Sequence, residues 1–277
     1  SPLHSSPARP GSAGSGDAGL SESERTSIVL RAADRIRSLP GVEGAAATAM
    51  APFQGSWHVH LYLPDRDSVI RPPGGGPYVH VVEPGYFELL GLDVVRGRTI
   101  DEGDVAGAPG AVVVNEELAR VLWPGKDPLE QCVQVGNDGA PCTQVVGVVE
   151  NAHRNELVEE PSSQYYVSAR QRLVSTAVGD ILARPSTGSD DLASALASTL
   201  RRELAALDPA IRFVEVRPLD ERVRAETRSW RLGTALLTAF GALALVVAAL
   251  GLYALMSFSV AERRPELAIR AAMGATE

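Results

Sequence analysis

The sequence is short of lysine, cysteine and aromatic residues. Of its 26 basic side chains only Lys126 is a lysine, it has two cysteines, and aromatics make up 5% of the 277 residues. A formal net charge of −8 with no basic cluster excludes a nucleic-acid footprint, which needs concentrated positive charge. Catalytic signatures are missing too. There is no G-x-S-x-G, no phosphate-cradling G-x-x-x-x-G-K-[ST] and no H-E-x-x-H. His153 stands near Glu150 and Asn151 in a polar stretch and reads as a surface histidine. Asp101-Glu102-Gly103-Asp104 lacks the ligand spacing of a calcium loop and reads as a solvated turn. His58 and His60 alternate along a strand-like run, so they would share a face. No carboxylate or cysteine cluster accompanies them, and they too read as surface residues. No catalytic residue, cofactor or metal site is expected.

One long stretch lacks charge altogether. Leu232 to Ala261 holds thirty residues without Asp, Glu, Lys or Arg. As a helix it would be about 45 Å long, more than a ~30 Å hydrocarbon core requires. It lies far from the N-terminus, which excludes a secretory signal. A buried soluble helix is rarely apolar on every face over such a length. A membrane span over 230–261 is therefore expected, with Trp230 and Tyr253 as interfacial aromatics. Gly233, Gly241 and Gly251 give it small-residue faces for close contact with neighbouring helices, expected from other segments of a longer protein of which this chain is a fragment.

The chain before the span reads as an α+β domain. Residues 1–20, rich in Ser, Pro and Gly, read as a disordered tail or linker. Ser21 with Glu24 three residues on is a capping box, opening a helix that Pro40-Gly41 ends. Strands are expected at 42–50, in the alternating run 57–63, and at 78–83. Pro84-Gly85-Tyr86-Phe87 opens a short helix closed by Gly91, and 94–98 is extended. A buried strand at 111–114 leads to Asn115, which caps a helix through Trp123. Further strands are expected at 145–149, 165–167, 177–184 and 211–216, with a helix at 190–207. Two helix–turn–strand units, near 31–52 and 200–218, echo one another across the middle block. This predicts a split α+β domain: two helix–strand units, 21–77 and 173–220, around an inserted mixed α/β subdomain, 78–172, with the whole domain ending at 229.

Cys132 and Cys142 are separated by nine residues centred on Asn137-Asp138-Gly139, a turn signal. Strands flanking that turn would set the cysteines opposite each other, at disulfide range. The alternative is two unrelated buried thiols. A disulfide implies an oxidising compartment and so a domain outside the cytoplasm. The arginines flanking the span weakly favour the opposite orientation, and the cysteine pair is weighed above them.

After the span comes Glu262-Arg263-Arg264-Pro265-Glu266-Leu267-Ala268-Ile269-Arg270-Ala271-Ala272-Met273-Gly274-Ala275. Pro265 is suited to the first turn of a new helix, Glu266 and Arg270 share a helical face, and Gly274 can end the helix. Together with Leu250-Gly251-Leu252-Tyr253, this segment resembles the permease subunits of type VII ABC transporters, the MacB/FtsX-like family. Further similarity lies in Pro84-Gly85-Tyr86-Phe87, Gly91, Gly97-Arg98, Val113-Val114-Asn115-Glu116, Trp123-Pro124-Gly125, Asp127-Pro128 and 145–149. Glu130 departs from the pattern, which has Gly near that position. The cysteine pair is similar to that of long, duplicated permeases of the acidobacterial type.

The resemblance implies a porter-like periplasmic core domain moved by ATP hydrolysis in a separate cytoplasmic ABC ATPase subunit. It also implies further membrane helices of the same permease, a homodimer as one further assembly, and the bacterial inner membrane as the location. Residues 262–277 would then begin the cytoplasmic coupling segment, with Arg263, Glu266, Ile269, Arg270 and Gly274 facing the ATPase. The competing reading is the extracytoplasmic ligand-sensing domain of a single-span receptor.

Overall fold

The computed structural model describes residues 21–64, 69–72, 75–154, 159–186, 198–199, 202 and 219–274. It comprises two compact units, one reaching to Leu219 and one from Asp220 onward.

The first unit opens with helix α1, Glu22–Arg37. Ser21 caps it as the sequence predicts: its hydroxyl accepts from the Glu24 amide while the Glu24 carboxylate accepts from the Ser21 amide. Ala32 and Ile36 bury the helix against Ala45 of strand β1, Val42–Thr48. The chain continues through β2 (Leu61–Tyr62), β3 (Tyr78–Val82), the short helix α2 (Tyr86–Leu90), β4 (Val94–Gly97) and β5 (Ala111–Asn115). Helix α3, Glu116–Leu122, follows at once, because the Asn115 side chain accepts from the Leu118 amide as its cap. Strands β6 (Cys132–Val135), β7 (Cys142–Val149), β8 (Gln164–Ser168) and β9 (Asp180–Pro185) complete the unit.

Among the described residues all nine strands join one mixed sheet, ordered β2-β6-β7-β5-β8-β3-β1-β9, with β4 also on β7. The pairs β3/β8 and β5/β7 are parallel and the others antiparallel. Parallel central strands must be covered on both faces, and β5 and β8 are buried at every position. The join between β1 and β3 is thin, with a single paired position, Thr48↔Val82, whereas β1 pairs with β9 over its length. Strand β4 lies against β7 through two glycines in register, Gly97↔Gly147. A Cβ on either would run into the backbone of the facing strand, and Gly97 also takes a positive φ of 74°.

Several expectations shift. Of the run 57–63 only Leu61–Tyr62 is strand, with His58 in one bridge to Tyr78. The second arm of the cysteine hairpin and the strand expected at 145–149 are one eight-residue strand, β7. Its burial alternates where β6 is its neighbour and becomes continuous beside β5, so two local patterns belong to one element. Strand β9 begins at Asp180, later than expected. The helix at 190–207 and the strand at 211–216 lie almost wholly outside the described residues.

Helix α4, Leu219–Ala272, is 54 residues long, and all of it from Asp220 onward belongs to the second unit. Gly233–Ser259 is long and apolar enough to cross a membrane, with a mean hydropathy of 2.4 and none of it buried. The break expected at Pro265 is absent: the helix runs through it to Ala272. Proline's fixed φ is itself helical, but inside a helix it loses one hydrogen bond and crowds the carbonyl four residues back, at a cost of about 3 kcal/mol that the turns on either side must offset. Gly274 follows with φ 75°, the left-handed conformation that ends helices.

Candidate functional site

The cysteines meet. Cys132 opens β6 and Cys142 opens β7, and the two are bonded diagonally across the hairpin, with Cα atoms 5.7 Å apart. Their placement follows from the register Gln134↔Cys142 and Cys132↔Gln144 across the hairpin. The coupling residues named from the sequence all sit at the end of the other unit. Arg263, Glu266, Ile269 and Arg270 occupy the last turns of α4, and Gly274 lies just past it. Ile269 is exposed. The disulfide and this segment are thus separate sites. His58 and His60 are exposed with rings 6.2 Å apart, and among the described residues no group of three metal-capable side chains forms.

Two features of the sheet were not read from the sequence. The first is a buried ion cluster where β1, β3 and β8 end. Glu83 is fully buried. Its Oε1 accepts from Arg170 Nη2 at 2.7 Å and Nε at 3.1 Å, and its Oε2 accepts from the Ala47 amide at 3.0 Å. Arg37 stands 3.7 Å from Oε2 and donates to the Ala45 carbonyl, while Arg170 also reaches Glu102. A charge this deep survives only when paired and hydrogen-bonded, and here both oxygens are satisfied. The carboxylate holds β1 to β3 where ladder pairing is thinnest. Beside it, Arg98 grips the buried Asp104 with two hydrogen bonds, 2.7 and 2.9 Å. Burial raises the Asp104 pKa, but the bonds from Arg98 and the Asp101 amide outweigh it and hold the group below its ordinary value.

The second feature is a cavity of about 350 Å³ on the sheet beside β3 and β8. Its walls are mainly apolar, including Met50, Phe53, Trp57, Leu90 and Leu92. Its polar lining includes Glu150, Asn151, Arg154 and Gln164 as well as His80. Gln164 Nε2 donates to the Ala152 carbonyl at 2.7 Å, which turns Gln164 Oε1 to His80 Nε2 at 2.9 Å. An amide oxygen only accepts, so His80 carries its proton on Nε2 and presents Nδ1 as an acceptor. The imidazole stacks on Tyr166, centroids 4.8 Å apart, and Tyr166 packs edge-on to Phe87. Burial holds the His80 pKa down to about 4; the Gln164 bond opposes this and the Arg154 charge reinforces it. The ring is neutral at ordinary pH. His153 lies exposed at the rim. Among the described residues the lining pairs no nucleophile with a base.

The profile of the family described as MacB-like periplasmic core domain matches residues 4–203. The macrolide export ATP-binding/permease protein MacB of Bartonella quintana is 27% identical over 260 residues, covering 91% of this chain and 36% of its own length. The uncharacterized ABC transporter permease YknZ of Bacillus subtilis is 22% identical over 245 residues, covering 87% of this chain and 57% of its own. The chain therefore spans roughly a third to just over half of these relatives. Among solved structures, the periplasmic region of MacB from Actinobacillus actinomycetemcomitans aligns with a TM-score of 0.48 at 16% identity, over 64% of this chain and 74% of that one.

Proposed function

The chain belongs to the MacB-like periplasmic core domain family, and from that premise we propose that it is the extracytoplasmic domain and second membrane span of an ABC transporter permease. Cytoplasmic ATP hydrolysis moves the span and the domain with it, driving efflux or extraction of a substrate on the outer side. The observation that carries this reading is the order along the chain: a family match over 4–203, then a 27-residue apolar stretch within one unbroken helix. An unbroken helix transmits displacement along its axis, which a hinge at Pro265 would dissipate.

In this reading the domain stands in the periplasm or its equivalent, where the Cys132–Cys142 disulfide persists. The span is anchored in the bacterial inner membrane, beside further helices of the same permease. Residues 21–77 and 173–220 are the porter-like units and 78–172 the insertion. The single-position join of β1 to β3 supports a boundary there. Arg263, Glu266, Ile269, Arg270 and Gly274 face the ATPase.

The test is affinity purification of the epitope-tagged protein from its native membrane, in mild detergent, followed by mass spectrometry. An ABC ATPase, as a separate subunit, is expected in the eluate. A protein that brings down no ATPase and carries none in its own chain would overturn the transporter reading and leave the sensor.

A further inference from the structure

The run His58-Val59-His60 lies on a short segment that joins two parts of the sheet. At one end the Val79 amide donates to the Trp57 carbonyl, and His58 bridges to Tyr78 of β3. At the other, the Gly136 amide donates to the His60 carbonyl, and Leu61 and Tyr62 pair with Val135 and Gln134 of β6. The backbone is therefore held on both sides of the two histidines. Between them Val59 packs against the core, and Leu61 just after them is fully buried. Alternation along the segment then turns both imidazoles outward, and both are exposed.

We propose that His58 and His60 chelate a borderline first-row divalent cation, copper(II) above all, with one nitrogen from each ring and water in the remaining positions. Imidazole nitrogen is a good donor for copper, nickel and zinc, whereas magnesium and calcium take oxygen. Within the first-row series a given nitrogen site holds copper(II) most tightly. The two ring centroids are 6.2 Å apart and the planes tilted by 50°. Nitrogens that share one ion at roughly 2 Å stand about 3 Å from each other, so the rings turn toward one another about their own exposed torsions. Tyr62, next on the same face, stands edge-on to His60 with centroids 6.4 Å apart and walls the site on that side. Among the described residues no third metal-capable side chain joins the pair, which leaves the rest of the coordination to water. Two ligands suffice here because their backbone is fixed beforehand: a pair on a loose loop would first have to be ordered. The inference concerns the domain alone and stands whether or not an ATPase moves it.

Calorimetric titration tests it. Copper(II) chloride is titrated into the whole, tag-free chain in phosphatidylcholine nanodiscs, with empty nanodiscs subtracted. A site taking one copper(II) per chain is expected, with an electron paramagnetic resonance spectrum showing coupling to two imidazole nitrogens. His58→Gln and His60→Gln are each expected to weaken that site about a hundred-fold, the scale of what a second tethered ligand adds. His153→Gln, at a separate exposed histidine, is expected to leave it unchanged, and magnesium chloride is expected not to displace the copper. A spectrum without two-nitrogen coupling overturns the proposal. So does a site that only one of the two substitutions weakens, or that His153→Gln weakens as much. All three side chains are exposed, so the substitutions leave the core alone. Should one of the variants still fail to fold, the spectrum of the unaltered protein decides.

Discussion

Arg170 closes on Glu83 across 87 residues of sequence, with two guanidinium nitrogens on one carboxylate oxygen that has no access to solvent. The pair ties the end of β8 to the end of β3, and through the Ala47 amide to β1. Removing one partner of such a pair costs more than the pair contributes, since it strands a buried charge. Arg170→Met is expected to lower stability by about 2–4 kcal/mol, less than a fully buried pair because Arg170 is 25% exposed. Urea unfolding followed by tryptophan fluorescence measures it. Glu83→Gln keeps an acceptor for Ala47 and is expected to cost less than Arg170→Met.

The hairpin disulfide gives a second prediction. Thiol titration of denatured, unreduced protein is expected to find no free thiol, because both cysteines are bonded. Reduction is expected to cost roughly 2–3 kcal/mol on the chain-entropy account for so short a loop. Two reactive thiols would refute the pairing.

Gly147→Ala is expected to strip β4 from the sheet. A methyl group at Gly147 meets the Arg98 backbone, which has nowhere to go while Gly97↔Gly147 remain in register. The expected loss is at least about 2 kcal/mol, the scale of overpacking without room to relax. Hydrogen exchange should show the amides of 94–98 losing protection while β5 and β8 keep theirs.

His80 makes stability depend on pH in a defined window. Its folded-state pKa, about 4, lies below the ordinary 6.5, so the unfolded chain takes up the proton first as pH falls. Its contribution is fully present above about pH 6.5 and is lost progressively as pH drops toward about 4. Unfolding midpoints of His80→Phe are expected to vary less across that interval than those of the unaltered protein. Parallel curves would remove His80 as the cause.

The fifth prediction concerns α4. Exchanging the charges, Glu266→Arg with Arg270→Glu, preserves an i,i+4 pair within the helix and reverses both signs toward anything outside it. Membrane insertion and folding are expected to be unchanged, while recruitment and stimulation of the ATPase fall. Normal stimulation by the exchanged protein would show that this segment does not face the ATPase.

Local elements were legible in the sequence and long-range ones were not. Ser21 with Glu24, Asn115 before its helix, Gly91 after another and Asn137-Asp138-Gly139 between cysteines each act within a few residues, so spacing suffices to find them. The parallel pairings β3/β8 and β5/β7 carry no local mark, since an apolar run fits any neighbour in a buried sheet. Glu83 offered one hint, a carboxylate ending the apolar run Tyr78–Val82, but nothing near it names Arg170 as partner. His80 was similarly hidden: its environment is set by Gln164, 84 residues on. Pro265 misled because its usual effect was weighed without the long helix on either side of it.

That helix has a mechanical consequence. The apolar stretch Gly233–Ser259 lies near the middle of Leu219–Ala272, leaving 219–232 on one side and 260–272 on the other, each roughly 20 Å long at 1.5 Å per residue. In the transporter we propose, with the membrane holding the middle, arms of equal length work as a seesaw: a sideways push of a few ångströms at one end emerges at the other with similar size and the opposite direction.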